Sequence, residues 1–107
     1  MAEFVKVATT SDIEPGTVKV YEAGGKQIAV CNVDGTFYAI DDVCTHDGGE
    51  LGEGTLRGDR LICPRHGAAF DARTGRVLTL PAVHDVRSYP VTVESDDVFV
   101  ACEDGAS

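Results

Sequence analysis

The chain has 107 residues, 43% of them apolar, and a formal net charge of −9. That length suits one compact domain with its own core and leaves no room for a second. Eighteen carboxylates against nine basic side chains exclude a molecule built to bind nucleic acid, which needs clustered Lys and Arg.

Residues 4–8 alternate apolar and polar, the pattern of a half-buried strand. Ser11-Asp12-Ile13-Glu14 has capping-box spacing, and Pro15-Gly16 stops any helical turn begun there. Residues 17–23 and 26–33 read as strands flanking Gly24-Gly25, a hairpin signal. Asp34-Gly35 then turns the chain into a strand at 36–40. Residues 41–58 break the pattern with five glycines, Gly48, Gly49, Gly52, Gly54 and Gly58; a glycine-rich loop of that length in a small β domain is usually functional. Short strands are expected at 60–62 and 75–78. Residues 86–94 and 98–103 form a closing hairpin across Ser95-Asp96-Asp97. No window of a dozen residues shows sustained helical periodicity. The expected fold class is all-β, an antiparallel sandwich or barrel.

No apolar run is long enough to span a bilayer. Residues 1–6 lack the basic start and apolar stretch of a secretory signal, so a cytoplasmic, non-membrane protein is expected. There Cys31, Cys44, Cys63 and Cys102 are better read as ligands or buried thiols than as disulfides. Cys31 and Cys102 fall in expected strands and read as small buried hydrophobes. The other two stand beside histidines.

The chemistry lies in two motifs, Cys44-Thr45-His46 and Cys63-Pro64-Arg65-His66, separated by residues 47–62. Each sets one thiolate and one imidazole on a tight loop, so two loops can converge on one site. Zinc takes two Cys and two His in tetrahedral geometry, but finger spacing pairs Cys with Cys and His with His. Here each motif mixes them. Two closely spaced irons explain the mixture better, each loop giving its Cys to one iron and its His to the other. Two ferric irons are balanced by two bridging sulfides and two thiolates, so such a core is neutral when oxidised. It becomes singly negative on reduction. Neutral imidazoles therefore raise the potential above that of an all-thiolate cluster, to roughly −150 to +300 mV. Zinc remains the alternative occupant.

The pattern C-T-H, sixteen residues, then C-P-R-H-G resembles the Rieske family. The likeness extends to F-Y-A-I-D-D-V before the first motif, L-x-E-G-T-L between them and F-D-A-R-T-G after. The resemblance implies a single Rieske domain over residues 1–107, with cluster-binding loops around residues 43–54 and 63–71. It implies one 2Fe–2S cluster on Cys44, His46, Cys63 and His66, with the cysteines as inner ligands and the histidines toward solvent. Leu80-Pro81-Ala82 resembles the family's proline loop, which covers the cluster. Length and spacing look most like the ferredoxins of bacterial multicomponent ring-hydroxylating oxygenases. The implied function is one-electron transfer from a flavin-dependent reductase to a terminal oxygenase in aromatic hydrocarbon catabolism, by a monomer that is not itself an enzyme. The alternative is the small Rieske subunit of a larger reductase, such as an assimilatory nitrite reductase. A Rieske oxygenase would need a second iron on two His and a carboxylate, and His84 is the one histidine left.

High-potential relatives carry an extra Cys in each loop where this chain has Gly49 and Arg65, and a Ser and a Tyr where it has Ala68 and Phe70. Those hydroxyls donate to sulfur and stabilise the reduced state, so their absence implies the low-potential class. His84 reads as an ordinary surface or half-buried histidine, and gating of electron flow is its alternative reading. No basic residue lies from Asp41 to Gly54, whereas Arg57, Arg60, Arg65, Arg73 and Arg76 surround the second motif. These arginines either orient a docked partner or pair locally with nearby acids.

Overall fold

The computed structural model describes residues 4–23, 25–42, 54–63, 68–78 and 85–101. Among them are ten strands and one 3-10 turn: β1 Phe4–Thr9, the turn Thr10–Asp12, β2 Val18–Ala23, β3 Lys26–Val33, β4 Thr36–Asp41, β5 Thr55–Arg57, β6 Arg60–Ile62, β7 Ala69–Asp71, β8 Ser88–Tyr89, β9 Val91–Glu94 and β10 Asp97–Ala101. All pairings are antiparallel. The strands form three sheets, β1-β10-β9, β2-β3-β4-β8 and β5-β6-β7. The all-β expectation holds.

Side-chain alternation in β3 and β4 explains the layering. Ile28 and Val30 of β3, with Phe37 and Ala39 of β4, pack against Ala8, Val98 and Val100 of the first sheet. The alternate residues Ala29, Cys31 and Ile40 face the other way and pack against Leu56, Leu61 and Phe70 of the third sheet. The four-stranded sheet is therefore the middle layer, with a core on each face. That is why residues 28–32 are buried without interruption, where a sheet wetted on one side would alternate.

Asp34 and Gly35 both take positive φ, 53° and 92°, the geometry of the tight hairpin turn that their sequence announces. The buried Asn32 locks this turn: its Oδ1 accepts the Gly35 N–H at 2.7 Å, and its Nδ2 donates to the Ile13 carbonyl at 2.7 Å.

Four expectations need correction. The capping interaction uses Thr9 and Asp12, two residues before Ser11 and Glu14: the Asp12 carboxylate accepts the Thr9 N–H at 3.0 Å. Residues 86–94 are not one strand. Pro90 has no N–H to give a ladder, and the chain changes sheets there, β8 pairing with β4 and β9 with β10. Residues 75–78 make one bridge, Phe70 to Val77, rather than a strand. β5, inside the glycine-rich stretch, and β7 were not anticipated.

β4 pairs directly with β8, Ala39 with Tyr89 and Ile40 with Ser88. Residues 42–87 are thus inserted between two neighbouring strands. The Asp41 N–H donates to the Arg87 carbonyl at 2.9 Å where the insertion begins and ends. Among the described residues no helix is long and apolar enough to cross a membrane.

Candidate metal centre

The third sheet carries the second motif. β6 and β7 are the arms of a hairpin, with Leu61 opposite Phe70 and Ile62 opposite Ala69. One step further the Cys63 N–H donates to the Ala68 carbonyl at 2.7 Å. This bond closes the arms over the four residues 64–67. Cys63 lies two residues beyond Leu61, so both share the inward face. It is 1% exposed and packs in the core formed with Leu56, Leu61, Ala68 and Phe70. Its thiol is free of any disulfide. Of the range expected for the second loop, residues 69–71 belong to β7.

The first motif lies in residues 43–53, between β4 and β5. Both boundaries of that segment are anchored. At its start the Asp42 N–H donates to Gln27 O at 3.2 Å, and the Tyr89 hydroxyl donates to Asp41 Oδ1 at 2.5 Å. At its end Thr55 stands opposite Ile62, next to Cys63. The chain therefore re-enters the third sheet beside the base of the second motif.

Cys44, His46 and His66 lie outside the described residues, as do Gly49, Arg65, Leu80, Pro81, Ala82, His84 and Cys102. The base of the segment containing Leu80-Pro81-Ala82 is described. Val77 N–H donates to Asp85 Oδ1 and Val86 N–H to Gly75 O, both at 2.8 Å.

Cys31 is in the middle sheet, and burial pushes its thiol up to about 12. Such a thiol stays protonated at neutral pH and is no ligand without rearrangement. The arginines are unequal. Arg73 clasps Asp71 through Nε and Nη2, both at 3.1 Å, and reaches Asp59 at 3.2 Å. Its hydrogen bonds hold the Asp71 carboxyl below the ordinary carboxylate value. Local pairing thus accounts for Arg73, with acids of its own hairpin pair rather than of the first loop. Nothing in the motifs signalled that clasp.

The described residues thus form a three-sheet antiparallel body with a buried cysteine where the β6–β7 hairpin closes, a β-protein class that the comparisons with known proteins specify. The model of the Rieske [2Fe-2S] domain family matches residues 3–90. The chain is 40% identical over 102 residues to the ferredoxin component of biphenyl 2,3-dioxygenase from Rhodococcus jostii, covering 95% of each. Among solved structures, the ferredoxin of carbazole 1,9a-dioxygenase from Nocardioides aromaticivorans superimposes with a TM-score of 0.91 at 32% identity, over 95% of this chain and all of that one. A ferredoxin in a complex of reduced oxygenase and oxidized ferredoxin in carbazole 1,9a-dioxygenase gives 0.86 at 39% identity, over 92% of each chain. This chain belongs to the Rieske [2Fe–2S] family. Its cofactor is one 2Fe–2S cluster, and the described donor fits that group: Cys63 offers a soft sulfur, free of any disulfide and shielded from water.

Proposed function

We propose that the chain is a soluble one-electron carrier that delivers electrons to the terminal oxygenase of a multicomponent aromatic-ring dioxygenase. One observation carries this reading: the match to a dioxygenase ferredoxin component runs over 95% of both chains, so that likeness spans nearly the whole of a ferredoxin component. Residues 1–107 act as one domain, with cluster-binding loops around residues 43–54 and 63–71. Cys44, His46, Cys63 and His66 hold the cluster. When bound, the 2Fe–2S group supplies a one-electron couple of low potential for its class.

The chain's own residues set the conditions for that couple. The bond from Cys63 to Ala68 fixes the separation of the turn's two ends. Leu56, Leu61 and Phe70 keep water from the inner side. Ala68 and Phe70 offer no side-chain hydroxyl toward sulfur, which favours a low potential. A flavin-dependent reductase supplies the electron, and the protein works as a cytoplasmic monomer.

The test is to mix chemically reduced protein with terminal oxygenases, including those of biphenyl and carbazole systems, and follow oxidation of its visible spectrum. Rapid single-electron oxidation is expected. A protein that transfers no electron to any of them, or that holds zinc instead of iron and sulfide, overturns the reading.

A further inference from the structure

Charge is unevenly divided along the chain. Residues 54–87 hold six arginines against three acids, while the remainder holds three lysines against fifteen acids. A net-negative molecule therefore carries one net-positive stretch, and Cys63 lies within it.

The register places these charges on one surface. Arg57 pairs with Arg60 across β5 and β6, and Arg60 with Asp71 across β6 and β7. The Asp71 N–H donates to the Arg76 carbonyl at 2.8 Å, which adds the next segment at the edge of β7. The outer face of the third sheet thus bears a row Arg57–Arg60–Asp71–Arg76, its three arginines all exposed. Asp71 is already committed to Arg73. Arg57, Arg60 and Arg76 make no ion pair among the described residues. Like charges directly opposite each other weaken a sheet, so the Arg57–Arg60 pair opposes the local stability of the hairpin that bears it.

Two residues along the strands runs a second row, Thr55, Ile62, Ala69 and Leu78, with Leu78 40% exposed. One residue past the end of β6 is Cys63, on the inward face of the same sheet. At strand spacing the Arg60 and Cys63 backbones are about 10 Å apart. A protein seated on the arginine row and Leu78 therefore covers the outer side of the sheet whose inner side holds Cys63.

We propose that Arg57, Arg60 and Arg76, with Leu78 beside them, form the docking face for a carboxylate-bearing surface of the terminal oxygenase. This rests on the carrier reading above. Charge complementarity selects the partner: clustered, exposed guanidinium groups favour planar carboxylates. The acidic remainder of the molecule is repelled by the same surface and turns the arginine row toward it.

The experiment is stopped-flow oxidation of the reduced holoprotein by an oxygenase that the parent reduces, across ionic strength. Arg57→Glu and Arg60→Glu are each compared with Lys19→Glu, an equal change of net charge on the middle sheet. Each arginine reversal is expected to slow the bimolecular rate about fivefold or more at low salt, and Lys19→Glu less than twofold. Equal slowing by all three variants overturns the proposal in favour of net charge, and parent-like rates overturn it outright. The double variant Arg57→Gln/Arg60→Gln guards against a folding artefact. With the like-charged pair gone, its melting temperature should stay level or rise while its rate falls. A lowered melting temperature at an unchanged rate assigns the pair to the fold and overturns the proposal. A parent that reduces no oxygenase overturns the carrier reading itself; a parent that does so and is matched by its variants overturns only the docking face.

Discussion

Ala68 and Phe70 are fully buried in the core that also holds Cys63. A hydroxyl at either position would enter this same core, and on the proposed ligand set its acceptor would be sulfur at the metal centre. Ala68→Ser and Phe70→Tyr should each raise the reduction potential, and together raise it more. A differential gain of about 1.4 kcal/mol corresponds to roughly 59 mV for a one-electron couple, and hydrogen bonds to charged acceptors reach that size. Protein-film voltammetry reads the shift. A melting temperature near the parent's would mark a hydroxyl that has found its acceptor, since an unsatisfied one costs about 1–3 kcal/mol. Cys31 makes a separate prediction through its burial. A thiol raised from 9.0 to about 12 stays neutral in the folded state after its unfolded counterpart ionises. Its contribution is complete below pH 9 and is lost as pH rises toward 12. Denaturant titrations should show stability falling over that window, and Cys31→Ala should flatten the fall. The same burial should leave Cys31 unreactive toward iodoacetamide at pH 8 until the protein unfolds.

The β6–β7 hairpin is tied to its neighbours by Arg73, which holds Asp59 and Asp71 together. Because the Asp71 carboxyl is depressed in the fold, its contribution is present above the ordinary value of 3.8 and disappears as pH falls through the lowered one. Arg73→Ala should therefore melt earlier than the parent at neutral pH, and the gap should close once Asp71 is protonated. Scanning calorimetry from pH 7 to 2 checks both ends. Gly75 is a sharper constraint. Its φ is +82°, and a Cβ there would lie 2.1 Å from the Val86 carbonyl oxygen, the backbone against which the base of the proline-bearing segment closes. Gly75→Ala should lose at least about 1–3 kcal/mol, visible as a lowered denaturation midpoint. These elements were unequally legible in the sequence. Asp34-Gly35 was readable because a two-residue hairpin demands positive φ and those residues tolerate it. β5 and β7 are three residues each, too short for periodicity to rise above the glycines around them. The exchange of sheets at Pro90 was masked by the apolar residues on both sides, since alternation alone does not say which partner a strand will take. Motif spacing singled out Cys63 in the sequence, and the fold shows it buried just past the end of β6. The clasp of Arg73 depends on a β5–β6 turn and a β7 end that meet only after folding.

The middle sheet serves two cores, one of which contains Cys63. Ile28, Val30, Val98 and Val100 pack on the side remote from Cys63, whereas Leu61 and Phe70 share its core. Removing iron with a chelator should therefore speed amide hydrogen exchange at Leu61 and Phe70 first, and leave Val30 and Val98 protected, because metal-binding free energy acts on the elements that carry ligands. The neck of the insertion takes this division further. Every buried residue of the remote core, from Ala8 to Val100, lies outside residues 42–87. The Asp41 N–H and the Arg87 carbonyl already meet at 2.9 Å, the separation that a tight reverse turn has to span. The redox lobe is therefore a cassette plugged into an ordinary β-hairpin. Excised and replaced by an Asn-Gly turn, it would leave behind a scaffold whose remote core is intact, with Ala29, Cys31 and Ile40, flanked by Val18 and Val33, left as an apolar scar to be made polar.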